Sequence, residues 1–130
     1  MADSLIPKEL KYTSTHEWLK IEGDIAVMGI TDFAQKELSD IVYVDLPEPG
    51  KTLNQGDVLG TIEAVKAVSD FYTPISGTIV ESNQELKTAP DLVNKEPYSK
   101  GWIVKIKVAN AHELTNLLNA EAYEKITVAH

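Results

Sequence analysis

The chain has 130 residues, with 12 Lys and Arg against 20 Asp and Glu, a net charge of −8 and no Cys. The acidic balance argues against nucleic-acid binding, which rests on Lys and Arg at phosphates. The lack of Cys excludes a disulfide scaffold, a zinc–thiolate site and a thiol nucleophile.

A single domain over residues 1–130 is expected at this length, large enough to bury a core without staples. The opening Met1-Ala2-Asp3-Ser4-Leu5-Ile6-Pro7 has neither a basic nor an apolar targeting segment. The longest apolar stretch, residues 25–30, is too short to span a bilayer.

Residues 17–21 and 24–28 read as strands joined by a Glu22-Gly23 turn. Residues 31–38 read as a short helix, with Thr31 as N-cap and Asp32 at the positive end of its dipole. The β-branched run 40–46 is ended by Pro47-Glu48-Pro49-Gly50, and further strands are expected at 57–63 and 69–80, the latter broken at Gly77. Residues 87–100, with two Pro, read as a long surface loop. Residues 102–108 alternate, which sets Trp102, Val104, Ile106 and Val108 on one face. The tail changes period. Asn110 and Glu113 form a cap-like pair, and Leu114, Leu117 and Leu118 share a face of a helical segment over 110–126. The pattern is mainly β: a small sandwich or barrel with a helical appendix.

The connection Ala64-Val65-Lys66-Ala67-Val68 is unusual. Two strands this close predict a hairpin, yet none of the Gly, Asn or Asp residues of tight hairpin turns is present. A turn of the type I class tolerates these residues and holds the Lys66 amine at the tip, with Glu63 and Asp70 on either side. Such an amine is a good acylation target. Spacing alone favours an ordinary exposed lysine, since lysines at turns are common and modification sites are poorly specified.

Other constellations carry less. His16, His112 and His130 are too scattered for a helical metal pair, and Gly56 and Gly60 precede no phosphate-loop Lys. Ser39-Asp40 and Ser69-Asp70 lack a matching His. Trp18 and Trp102 are read as core residues. No metal site and no catalytic residues are expected.

A longer set of motifs runs in order from about Leu10 to Tyr123: His16-Glu17-Trp18, Gly29-Ile30-Thr31-Asp32, Asp40-Ile41-Val42, Leu46-Pro47, residues 63–70 around Lys66, Pro74-Ile75-Ser76-Gly77, Pro97-Tyr98 and Gly101-Trp102. This set resembles the H protein of the glycine cleavage system. The resemblance implies a lipoyl-domain-like barrel-sandwich hybrid, with a short helix in its N-terminal half and a C-terminal helix. It implies lipoate in amide linkage at Lys66 and a monomeric shuttle that is not itself an enzyme. The implied partners are a pyridoxal-phosphate glycine decarboxylase, a tetrahydrofolate-dependent aminomethyltransferase, dihydrolipoyl dehydrogenase and a lipoate-attaching enzyme. The aminomethyl group would pass from the first to the second and the dithiol to the third. Thr15, Glu17 and Asp70 match the positions where the loaded arm rests in a cleft. Glu63 matches the residue that helps the attaching enzyme recognise the turn.

The sequence departs from the family at Ala64 and Ser39, where Ser and Gly are usual, and Thr15 stands where Ser is common. The alternatives are a lipoyl relay to other enzymes, or a biotinyl or lipoyl carrier domain. A biotinyl lysine usually lies between Met residues, and a 2-oxoacid dehydrogenase domain usually has Asp before its lysine; here the neighbours are Val65 and Ala67. The expected compartment is a bacterial-type cytoplasm, or the mitochondrial matrix for a trimmed chain. Neither membrane nor nucleic acid is an expected partner.

Overall fold

The computed structural model describes residues 5–128. Among these residues nine strands form two antiparallel sheets. The larger has the order β1 (Lys11–Tyr12), β2 (Glu17–Glu22), β3 (Ile25–Ile30), β9 (Val104–Val108), β8 (Gly77–Ser82), β5 (Thr52–Leu53). The smaller is β4 (Ile41–Val44), β6 (Val58–Ala64), β7 (Val68–Tyr72). Helix α1 (Asp32–Leu38) links β3 to β4, α2 (Leu92–Lys95) lies between β8 and β9, and α3 (Ala120–Val128) closes the described chain.

The strand alternation explains the layers. Leu19, Met28, Ile79 and Ile106 of the larger sheet face Val44, Ile62 and Phe71 of the smaller, and all are buried in one core. The opposite side of the larger sheet carries a second cluster of Leu10, Tyr12, Trp18, Val27 and Tyr123. Trp18 lies over Gly29, where a Cβ would come within 2.8 Å of the indole nitrogen. Its Nε1–H donates to the Pro97 carbonyl at 2.8 Å.

The β2–β3 hairpin and α1 form where expected. Thr31 caps α1, its hydroxyl accepting from the Ala34 amide. The turn falls one residue later, at Gly23-Asp24, because Gly23 supplies φ +68°.

Several expectations are corrected. The run 69–80 breaks at 73–76, where Thr73 Oγ1 donates to the Ile75 carbonyl and Pro74 has no N–H to offer; Gly77 opens β8 rather than ending a strand. Residues 87–100 are not a surface loop. They follow a 3₁₀ turn at Gln84–Lys87, contain α2, and bury Val93, while Asn83 Nδ2 donates to the Lys100 and Trp102 carbonyls. Trp102 lies outside β9. Val104, Ile106 and Val108 join the main core, whereas Trp102 packs on the second cluster beneath Lys105 Nζ, 4.9 Å from its ring.

The segment 110–126 is two pieces: a 3₁₀ helix over Ala111–Asn116 and then α3. The division falls at Leu118, which exchanges both backbone hydrogen bonds with Tyr12 at 2.8 Å and so leaves the helix. Glu113 does not complete a capping box; its carboxylate accepts from Ser76 N and Oγ, each at 2.7 Å. The short β1 and β5 carry no periodic signal and are new in the structure.

Candidate functional site

The β6–β7 hairpin carries Lys66 at its tip. Ala64 N–H donates to the Ala67 carbonyl at 2.8 Å, and Val65 N–H donates to Asp40 O at 2.9 Å, tying the turn to the segment before β4. Among the described residues the non-glycine positions with positive φ are His16 and Ser39, so the tip is built without left-handed backbone. Lys66, Val65, Ala67 and Val68 are all exposed. Register sets Glu63 between Tyr43 on β4 and Val68 on β7, and all three side chains face solvent. One carboxylate with an apolar neighbour on each side therefore lies just behind the lysine.

Val68, Asp70 and Tyr72 alternate with buried Phe71 and so share the outer face of β7. This face runs about 13 Å, at roughly 3.3 Å per residue, from the turn to a cleft. The cleft has a volume of about 510 Å³; its lining includes Thr13, Thr15, Glu17, Tyr72, Leu117 and Ile126. Thr15 and Glu17 are thus brought together in one cleft. Asp70 is exposed, does not line the cleft, and accepts from the Thr61 hydroxyl at 3.1 Å.

Glu17 is 1% exposed, yet it is a carboxylate. Its Oε1 accepts from the Thr13 and Thr15 hydroxyls, each at 2.5 Å, and Oε2 accepts from Tyr72 N at 3.2 Å. Burial pushes the carboxyl above its ordinary range, and these three donors oppose that rise. Thr15 is exposed and donates its hydroxyl proton inward, so its oxygen lone pairs face the cleft as acceptors. Glu17 is the acidic group behind them.

Thr13 and Tyr72 were not legible as site residues. Thr13 offers only a hydroxyl four residues before Glu17. Tyr72 contributes its backbone N–H across sheets, for which sequence carries no signal. Among the described residues no group of three or more His, Asp or Glu gathers as a metal site, and no helix is long and apolar enough to cross a membrane.

Two antiparallel sheets around one core, with short helices at the edges, define a mainly β, lipoyl-domain-like barrel-sandwich fold. Residues 10–130 match the profile of the glycine cleavage H-protein family. The chain is 53% identical over 123 residues to the glycine cleavage system H protein of Bacteroides fragilis, covering 95% of this chain and 98% of that one. It is 51% identical to that of Carboxydothermus hydrogenoformans, covering 95% of each. The crystal structure of a glycine cleavage system H protein from Mycobacterium marinum superposes with a TM-score of 0.84 at 37% identity, covering 92% of this chain and 97% of that one. The chain belongs to the glycine cleavage H-protein family.

Proposed function

We propose that this chain is the lipoyl-bearing shuttle of the glycine cleavage system, with lipoate attached through an amide to Lys66. The observation that carries the reading is the hairpin tip. One exposed lysine stands on a turn braced by two backbone hydrogen bonds, at the head of a strand face that leads to a cleft. A rigid tip keeps a long side chain clear of the body while leaving the cleft within its sweep.

Lipoate supplies what a chain without Cys lacks, a disulfide that opens to take up a group and electrons. The chain's own residues fit such an arm. Pro74, Leu117, Leu118 and Ile126 suit an aliphatic segment, and Thr15 with Glu17 behind it suits a cargo ammonium. Exclusion of water there strengthens the charge interaction and slows hydrolysis. Asp70, between tip and cleft on the outer face, is a second anionic contact along the way. Glu63, beside Tyr43 and Val68, is the contact read by the lipoate-attaching enzyme.

In this reading the chain is a carrier and not a catalyst. It takes an aminomethyl group from a pyridoxal-phosphate glycine decarboxylase, yields it to a tetrahydrofolate-dependent aminomethyltransferase, and presents the dithiol to dihydrolipoyl dehydrogenase. Relatives from bacteria support a bacterial-type cytoplasmic setting.

The test is intact mass with peptide mapping, before and after lipoate–protein ligase, lipoate and ATP. The expected result is a lipoyl-sized gain on Lys66 alone, lost in Lys66→Arg. No gain, or a gain on another lysine, overturns the reading.

A further inference from the structure

Three distant parts of the chain meet at the Tyr123 hydroxyl. It lies 2.7 Å from His16 Nδ1 and 2.7 Å from Thr31 Oγ1, the N-cap of α1. The Tyr123 ring stacks on Tyr12, with centroids 4.7 Å apart and planes within 10°. Burial raises the phenol to about 12, so it stays protonated and keeps its donor at any working pH.

On one side of this junction lies the loop that feeds Glu17. Thr13 N–H donates to Glu17 O at 3.0 Å, His16 N–H to Thr13 O at 3.2 Å, and Glu17 N–H to Thr13 Oγ1 at 3.1 Å. The loop closes only because His16 adopts φ 73°, a left-handed conformation that a side chain disfavours. The His16 ring is held by Tyr123 and by Phe33, whose centroid is 4.8 Å away. On the other side lies the cleft's C-terminal wall. Leu118 is laddered to Tyr12, and Ile126 is carried by the same helix as Tyr123.

The geometry points to Tyr123 as a positioning residue of the cleft: its hydroxyl, through His16, fixes the Thr13–Glu17 loop against the Leu117–Ile126 wall and so governs how long cargo is retained. The retention part rests on the carrier reading above; the positioning part does not.

The first readout is amide hydrogen exchange on the unlipoylated chain. Tyr123→Phe keeps the ring stack and removes only the hydroxyl. The amides of Glu17, Tyr72 and Leu118 are expected to exchange about fivefold faster, the scale of one net hydrogen bond, with β8 and β9 unchanged. His16→Ala is expected to do the same. His16→Asn is expected to restore slow exchange, because Asn tolerates left-handed backbone and sets an amide group where Nδ1 was.

The second readout is cargo release from the lipoylated chain, loaded with glycine by glycine decarboxylase and then freed of that enzyme. Water's oxygen bonds to the methylene carbon, the C–S and C–N bonds break, and thiol, formaldehyde and ammonium are formed. Release is expected to be about fivefold faster in Tyr123→Phe, by the same single-bond scale.

Wild-type exchange at Glu17 and Tyr72, or acceleration spread over all amides, overturns the positioning role. So does His16→Asn behaving as His16→Ala. Local acceleration with wild-type cargo release overturns the link to retention. Release from the folded wild type as fast as from the urea-unfolded chain brings down the cleft reading instead, and exchange still decides the role of Tyr123.

Discussion

Glu17 on β2 accepts the backbone N–H of Tyr72 on β7 at 3.2 Å, and this single contact joins the larger sheet to the smaller at the floor of the cleft. A buried carboxylate is costly unless it is saturated with donors. Here two hydroxyls and one amide saturate it. Truncation to Ala leaves the Tyr72 amide and the half-buried Thr13 hydroxyl without this acceptor. We expect Glu17→Ala to lower stability by about 1–3 kcal/mol, read as a shift in the urea midpoint. No shift would mean that water replaces the carboxylate at no cost.

The same burial gives Glu17 a pH signature. Its folded-state pKa is raised above the ordinary 4.5 chiefly by desolvation, with Thr13, Thr15 and the Tyr72 amide pulling the other way. The folded chain therefore holds this proton more tightly than the unfolded chain. The stability so contributed is fully present below 4.5 and is lost as pH rises through the folded-state value. Glu17→Gln keeps the shape, because the threonine hydroxyls can rotate to accept from its amide nitrogen. Wild type should lose stability relative to Glu17→Gln between pH 4.5 and neutrality, measured by urea unfolding across that window. A relative gain would reverse the sign and refute the assignment.

What the sequence revealed and what it hid divide along sequence distance. The odd hairpin was legible because Val65-Lys66 lacks the residues of tight turns, and the structure closes it without positive φ. The α1 cap was legible because Thr31 and the Ala34 amide are neighbours in the chain. Tyr123 and His16 lie 107 residues apart, and nothing in either local pattern announces the contact. Helix α2 was missed because its four residues, Leu92–Lys95, are too few to show a period. Asn110 with Glu113 looked like a capping box, but the carboxylate found Ser76, a tertiary partner that local spacing cannot name.

Glu63 can be tested apart from folding. It is exposed on the outer face, paired in register with Tyr43 and Val68. Removing an exposed surface charge should change stability by no more than about 0.5 kcal/mol. The expected effect is on attachment: lipoylation of Glu63→Ala about tenfold slower, equivalent to about 1.4 kcal/mol at an enzyme contact. A mass-spectrometric time course with lipoate–protein ligase reads this directly. A wild-type rate removes Glu63 from recognition.

Glu113 ties the 3₁₀ segment beside the C-terminal wall to the loop at 73–76. Both carboxylate oxygens take donors from Ser76, and Ser76 Oγ in turn accepts from the Gln55 backbone N–H at 2.8 Å. Glu113→Ala is expected to cost about 2 kcal/mol, since charge-assisted bonds contribute more than neutral ones. Because Asn116, Leu117 and Leu118 line the cleft, their amides should also exchange faster. Loss of stability without faster exchange at these three positions would confine the role of Glu113 to holding Ser76.

At Gly77 the backbones of β8 and β9 leave no room for a side chain. A Cβ there would fall 2.1 Å from the Lys107 carbonyl oxygen and 2.7 Å from Ile106 Cγ2. The first neighbour is backbone in a hydrogen-bonded strand pair and cannot rotate away. Gly77→Ala must therefore push β8 from β9, at an expected cost of about 3 kcal/mol. Gly50→Ala provides the contrast: its Cβ meets nothing within 4 Å, but φ is +95°. There the cost is backbone strain alone, about 1–2 kcal/mol. Thermal unfolding of the two variants should place Gly77→Ala well below Gly50→Ala. Equal midpoints would mean that β8 and β9 can part at that point without loss, and that the close approach does not hold the loop at 73–76 in place.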